Sequence, residues 1–473
     1  MANKINNSRP KAKAHTTKPT NVTGRLLCML LVFVILLSYV GLYRVFAIKA
    51  DGKDYEKSAI YNQVNRIQDK IVSPNRGDIV DRNGEPLAVG ETVFNIILDV
   101  KQDKQEETIN NINKIVGIPV ETIRSYVALD ANKKPAKDTH YFILAKKVPI
   151  SVGRKINDLN CNWLYAEQDT KRSYPHGTLA AQVIGFTRGE ASWGIESVYN
   201  DDMTGIPGRT FRTYERNGSI VTQRENPVKG NKLVTTLDAN IQQFAEDVCK
   251  TAYDAYDPEY TDSIVMNPKT GEIYAMAQYP SFDLNDPMKL TDLGKTNISS
   301  TWDKMTDKQK NDLANKAWKN FAITDTFEPG SIYKPIVVAM ALEEGVIKST
   351  DSFYCGGVKK IADYEIHCHN RNGHGTLSLT GVLAQSCNIG MMEIITKLGA
   401  EKYLQYQHDF GFGEKTGIDL PNEASASNLL YSLSNLHSAE MATSSFGQGF
   451  NCTPIQAITA FSSIINGGKL MRP

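Results

Sequence analysis

The sequence predicts an α+β multidomain protein held to a membrane by one N-terminal helix. Three observations predict it. An uncharged run of 18 residues, Leu26–Tyr43, follows a tail with six basic side chains and no acidic one. Residues 49–229 are polar and mixed, with short strand-like runs set among helical patches. Near Gly230 the texture changes to an amphipathic helix and a tight hairpin, which marks a second α+β unit.

The chain has 473 residues, more than one domain normally holds. The predicted division is a basic tail over 1–25, a membrane helix over 26–48, an elongated module over 49–229 and a final domain over 230–473. Charged residues make up 22% and the net charge is +1, so no global charge points to nucleic acid. The basic side chains of the tail are Lys4, Arg9, Lys11, Lys13, Lys18 and Arg25. At 1.5 Å per residue the uncharged run spans about 27 Å, enough to cross a bilayer's hydrocarbon core. A cleaved signal peptide has a shorter apolar stretch and a small-residue site after it. Here Tyr43-Arg44-Val45-Phe46 follows, so an uncleaved anchor is predicted. The basic flank keeps the N-terminus cytoplasmic and puts the rest outside the plasma membrane.

Within 49–229, VFNIILDV (Val93–Val100) reads as a strand and ETINNINKIVGI as a helix. After Gly230, TTLDANIQQFAEDVCKTAYDAY puts Ile241, Phe244, Ala245, Val248 and Ala252 on one helical face, with Thr236 or Asp238 as cap. SIVMNPKTGEIYAMA reads as two strands around the turn Asn267–Gly271.

Two short patterns carry chemistry. In FEPGSIYKPIVVAMALEEG, Ser331 and Lys334 are three apart at the start of an apolar helix that ends at Gly345. Pro335 is tolerated in a first turn, where no N–H partner is lost. A serine hydroxyl needs a base, and a buried lysine gives up its proton more easily. The helix N-terminus also aims N–H groups at a developing oxyanion. In the second pattern, Ser386-Cys387-Asn388 sits just before a helical run, Ile389–Leu398. Ser386 is placed to relay a proton and Asn388 to hold a substrate amide. Each pattern alone is weak, because Ser and Asn commonly just cap helices.

Together and in this order, they resemble the class B penicillin-binding proteins, the monofunctional peptidoglycan transpeptidases. RGDIVDRNGEPLA (Arg76–Ala88), RSYPHGTLAAQVIGF (Arg172–Phe186) and GIESVYND (Gly194–Asp201) resemble signatures of that group's N-terminal module. TTLDANIQ, AITDTFEPGSIYK, SCN, FGFGEKTGIDLP and SFGQGFNCTPIQ follow in the family's order. No segment resembles a glycosyltransferase motif, which disfavours the bifunctional class A. The resemblance implies a pedestal or dimerisation-like module followed by a transpeptidase domain with an antiparallel sheet and helices. It implies acylation of Ser331 by stem peptides of a lipid-linked precursor or by β-lactams. Lys334 is then the general base, Ser386 and Asn388 assist, and Asn388, Gly447 and Gln448 bind substrate. It implies no metal or organic cofactor, and a membrane-embedded glycan polymerase as partner. The alternative is a non-catalytic scaffold that regulates such a polymerase.

The family's third motif, K-T/S-G, lies on a strand after the GQG-like segment. Lys269–Gly271 is a hairpin tip, and Lys415–Gly417 precedes Gly447–Gly449 beside turn residues, so neither copy is expected in the site. The chain is therefore expected to be truncated before that motif, and this polypeptide to be inactive by itself. Cys355, His367, Cys368, His369 and His374 cluster in sequence without the spacing of a regular zinc finger. A Cys355–Cys368 disulfide is the leading expectation, ahead of free thiols and of a metal. The similar Cys…Cys…His-Gly stretch common in class B proteins implies a structural or redox role there.

Overall fold

The structure is a computed structural model that describes residues 22–50, 67–99, 106–127, 141–159, 161, 163–214, 220–290 and 302–473. Residues 1–21 of the basic tail lie outside the described residues. Two compact units emerge, one of residues 1–70 and 210–224, the other of 71–209 and 225–473. The first holds the helix Val22–Ala50, whose apolar stretch Leu26–Ala47 is long enough to cross a membrane and is unburied among the described residues. It also holds most residues of a sheet ordered Ile67–Val72, Gly208–Tyr214, Ile220–Glu225.

In the larger unit the long strand Pro86–Asp99 organises the module that precedes residue 230. Tyr141–Val148 and Leu164–Ser173 both pair antiparallel with it, Ile96 facing Ala145 and Ala166. Its Ile96 and Leu98 bury against Ile109, Ile112, Ile123, Ile156 and Trp163. Each such side chain removed from water contributes about 1.5–3 kcal/mol. The expected helix forms over Glu106–Val116.

Three of the quoted segments converge on one buried carboxylate. Glu196, 0% exposed, accepts from Arg76 Nε at 2.6 Å and Arg172 Nε at 2.6 Å. Tyr174 donates to it at 3.3 Å. Two guanidinium partners offset the cost of burying the charge.

The boundary expected at 229/230 lies inside this unit. Leu233–Val234 pairs parallel with Ile79–Val80, which pairs with Pro86–Asp99. Asp81 accepts from the N–H groups of Asn83, Glu85 and Ala239, so one turn closes itself and caps into the next segment. One core includes Ile79, Leu87, Phe186, Met276, Ile323 and Ile455, from both sides of the boundary.

Asp238 is the cap of the helix Ala239–Tyr256, accepting from Asn240 and Ile241. The buried face differs from the one expected. Gln242, Ala245, Cys249 and Tyr253 face inward, while Phe244 is 71% exposed. The reason is backbone satisfaction. The Gln242 amide bonds both ways to Met276, donating to its carbonyl at 3.1 Å and accepting its N–H at 2.8 Å. That bond turns the helix toward the hairpin Thr261–Met266 and Ile273–Tyr279, whose tip is Asn267–Gly271 as expected.

The last core surrounds the helices Lys334–Glu343 and Asn388–Leu398. Ile336, Val337, Met340 and Ala341 are buried as the spacing predicts. Tyr333 meets Phe412 and Phe450 edge-on, at 5.3 and 4.8 Å between ring centroids, which anchors the first of these helices.

Candidate active site

Ser331 lies in a single tight turn, Gly330–Tyr333, that runs directly into the helix Lys334–Glu343. Gly330 takes φ 61°, which lets the chain reverse just before the serine. Ser331 is exposed, whereas Lys334, one turn on, is 2% exposed. The i, i+3 spacing brings them to one side, and a third residue links them.

That residue is Ser386. Its Oγ is 3.0 Å from Ser331 Oγ and 2.9 Å from Lys334 Nζ. Lys334 Nζ also donates to the Ser386 carbonyl at 2.7 Å and to Asn388 Oδ1 at 2.8 Å. A charged ammonium spends its three donors on these three acceptors. A neutral amine donates to the carbonyl and the amide oxygen and accepts from the Ser386 hydroxyl. The pocket therefore fits both protonation states without rearrangement. Burial pulls Lys334 down to about 8, against an upward pull from the Cys368 and Cys387 thiols.

Ser386 holds φ 47°, the left-handed region that serine rarely adopts, between the helices Leu379–Ala384 and Asn388–Leu398. Neither Ser386 nor Asn388 caps the second helix. Cys387 does, its Sγ accepting from Gly390 N–H at 3.4 Å. The flanking side chains are thereby left for Lys334.

The segment Phe446–Cys452 closes the other side. Gly330 N–H donates to Gly447 O at 2.8 Å, and Phe327 and Cys452 exchange backbone bonds of 2.9 and 3.0 Å. A Cβ on Gly447 would lie 2.2 Å from Gly330 O, so glycine serves close approach there. Glu328, not anticipated, accepts from Gly449 N–H at 3.0 Å. Gln448 is exposed, and its N–H donates to Thr443 O.

The two K-T-G copies have other tasks. Lys269–Gly271 is the hairpin tip. Thr416 N–H and hydroxyl both donate to buried Glu423 at 2.6 Å.

Cys355 and Cys368 are buried free thiols, so the expected disulfide is not formed here. A third thiol lies beside them. Cys387 and His374 share the same space, and the four ligand-type atoms lie within 4.8 Å of one another. Cys387 stood inside the S-x-N pattern, where nothing in its spacing tied it to the other two.

Residues 263–473 match the family model of the penicillin binding protein transpeptidase domain, and residues 71–235 that of the penicillin-binding protein dimerisation domain. The chain is 30% identical over 408 residues to Stage V sporulation protein D of Bacillus subtilis (strain 168), covering 85% of this chain and 59% of that one. It is 28% identical over 464 residues to Peptidoglycan D,D-transpeptidase FtsI of Escherichia coli (strain K12), covering 94% and 70%. It spans 66% of a Buchnera aphidicola FtsI. Penicillin Binding Protein 2X from Streptococcus thermophilus shares the fold with a TM-score of 0.67 at 23% identity, over 86% of this chain and 60% of that one. Penicillin-binding protein PBP2 of Helicobacter pylori, solved with MreC, does so at 0.64 and 24%, over 86% and 78%. Two family models in succession cover most of the chain, and the chain belongs to the class B penicillin-binding proteins.

Proposed function

We propose that this protein is a serine D,D-transpeptidase that cross-links peptidoglycan stem peptides and is acylated by β-lactams. The observation that carries the reading is the hydroxyl of Ser386 standing between Ser331 Oγ and Lys334 Nζ at 3.0 and 2.9 Å. The family match supports the substrate class.

In this reading Ser331 Oγ attacks the carbonyl between the two terminal D-alanines. Its proton passes to Ser386 as the Ser386 proton passes to Lys334. The tetrahedral adduct collapses, the C–N bond breaks, and the leaving amine of D-alanine takes the proton back along the same path. An amine of a neighbouring stem then attacks the ester and restores the Ser331 hydroxyl. General base catalysis of this kind contributes about 10²–10⁴-fold. Asn388 orients Lys334 and offers its amide to the substrate. Gly447 and Gln448 border the cleft. The helix Leu26–Ala47 anchors the chain with its N-terminus in the cytoplasm, where the basic tail remains. A membrane-embedded glycan polymerase is the partner that would supply uncross-linked strands.

The test is labelling of the full chain in detergent with a fluorescent penicillin. Ser331 is expected to carry the label, and Ser331→Ala to carry none. A chain that folds but never labels would favour the scaffold reading.

A further inference from the structure

We infer that a cleft bordered by Trp193, Trp318, Asn315 and Asn422 binds one N-acetylated sugar unit of a glycan strand. The identity of the strand rests on the transpeptidase reading above, whereas the sugar chemistry rests on the cleft itself. The cavity measures about 290 Å³. That is near the lower end of ligand pockets, about 300–1,000 Å³, and suits one sugar ring with its substituents.

Two indoles form its apolar wall. Trp193 stacks on Phe186, with ring centroids 4.4 Å apart and planes at 18°. Trp318 meets Trp193 at 5.1 Å and 61°. Both indoles are half-buried and border the cavity. Hydrogen bonds hold them in place. Trp193 N–H donates to Phe186 O at 3.0 Å, and Trp318 Nε1 donates to Pro287 O at 3.0 Å. Trp318 also ends the helix Asp307–Trp318, whose start is fixed by reciprocal bonds between Thr306 and Gln309. Rings fixed in this way lose little freedom when a ligand arrives.

Two carboxamides border the same cavity from separate segments. Asn315 stands at i and Trp318 at i+3 on one helix, so both side chains lie on one face. Asn422 follows Pro421 in a turn and takes φ 67°. Ala424 N–H donates to Ile323 O at 3.0 Å, which pins that turn beside the short helix Phe321–Thr324. Asn315 and Asn422 are exposed, and neither side chain has a hydrogen-bond partner among the described residues. The other amides at the cavity are already engaged. Gln182 Nε2 donates to Ala317 O at 3.2 Å, and Asn320 Oδ1 accepts from Ala322 N–H at 3.2 Å.

The charges narrow the ligand class. Lys319 is the one charged side chain among the described lining residues, and it pairs with Asp325. A charged ligand therefore meets no free counter-charge. A purely apolar ligand would leave the two amides unpaired. A pyranose meets both constraints, because its C–H face covers an indole while its hydroxyls reach the amides. An acetamido group adds one donor and one acceptor, the complement of a carboxamide's oxygen and NH₂. The wall Asn320–Thr324 leads along the chain into the Ser331 turn. A strand seated in the cleft stays tethered to the domain that takes its stem peptides, which raises their effective concentration.

The test titrates the full chain in detergent with chitotetraose, an N-acetylglucosamine oligomer. Maltotetraose, which lacks acetamido groups, is the control. Binding is read from saturation transfer to sugar protons and from tryptophan emission. Chitotetraose is expected to bind with a Kd on the order of 1 mM, and maltotetraose at least about tenfold more weakly. Asn315→Ala combined with Asn422→Gly should weaken chitotetraose about tenfold. Glycine accepts the left-handed backbone at 422, so thermal unfolding and the rate of penicillin labelling should be unchanged. Ser331→Ala should bind the sugar as the wild type does. A chain that binds chitotetraose but never labels with penicillin supports the cleft and removes only the transpeptidase reading. Labelling without sugar binding, equal affinity for the two oligomers, or full affinity in the double variant overturns the inference.

Discussion

Ser386 Oγ stands 3.0 Å from Ser331 Oγ while the Ser386 backbone is held at φ 47°. The i, i+3 pair Ser331 and Lys334 therefore communicates through a residue more than 50 positions away. Ser386→Ala removes the bridging hydroxyl and little else. Penicillin acylation should slow by about 10²–10⁴-fold, with the melting temperature nearly unchanged. Acylation kinetics beside thermal unfolding would check this. An unchanged rate would mean that Lys334 acts on Ser331 directly.

The acylation rate should depend on pH through Lys334. Only the neutral amine can accept a proton, and burial brings this amine down to about 8 from 10.5. The rate should rise about tenfold per unit below that point and level off above it. Stability follows the same shift. Between about 8 and 10.5 the unfolded chain still holds the proton that the folded chain has lost, so stability from this group rises with pH across that window. A flat rate profile from pH 7 to 9 would remove Lys334 as the base.

Gly447→Ala should damage the site without unfolding the domain. The new Cβ meets Gly330 O at 2.2 Å and sits at φ 77°, so the Ser331 turn must move. Displacing a nucleophile by about 1 Å costs on the order of 100-fold. Far-UV circular dichroism should stay the same while acylation falls. A variant that labels at the normal rate would show that the turn tolerates the shift.

Glu196→Ala should act on stability rather than chemistry. It leaves Arg76 and Arg172 without their shared carboxylate, and breaking a buried pair costs about 3–5 kcal/mol. Denaturant unfolding of the full chain would read this loss. A change below about 1 kcal/mol would mean that water replaces the carboxylate.

Much of the fold was legible because its causes are local. The cap Asp238, the turn Asn267–Gly271, the strand around VFNIILDV and the apolar helix after Ser331 each follow from residues within one or two turns of each other. The inward face of Ala239–Tyr256 was not legible. Apolar spacing pointed to Phe244 and Val248, but the strand beside the helix needed the Gln242 amide. The order of motifs also pointed to the family, since several weak patterns in sequence are jointly specific.

What the sequence determined by itself is the membrane-length apolar run, the α+β composition, and Ser331, Lys334, Ser386 and Asn388 as candidate site residues. What only the tertiary structure decided is their wiring. It put the Ser386 hydroxyl between Ser331 and Lys334, brought Cys387 to Cys355 and Cys368, and gathered Arg76, Arg172 and Glu196 around one charge. The physical reason is range. Helical and strand periodicity report neighbours a few residues apart, whereas these contacts join residues 19 to 120 positions apart, and packing alone selects them.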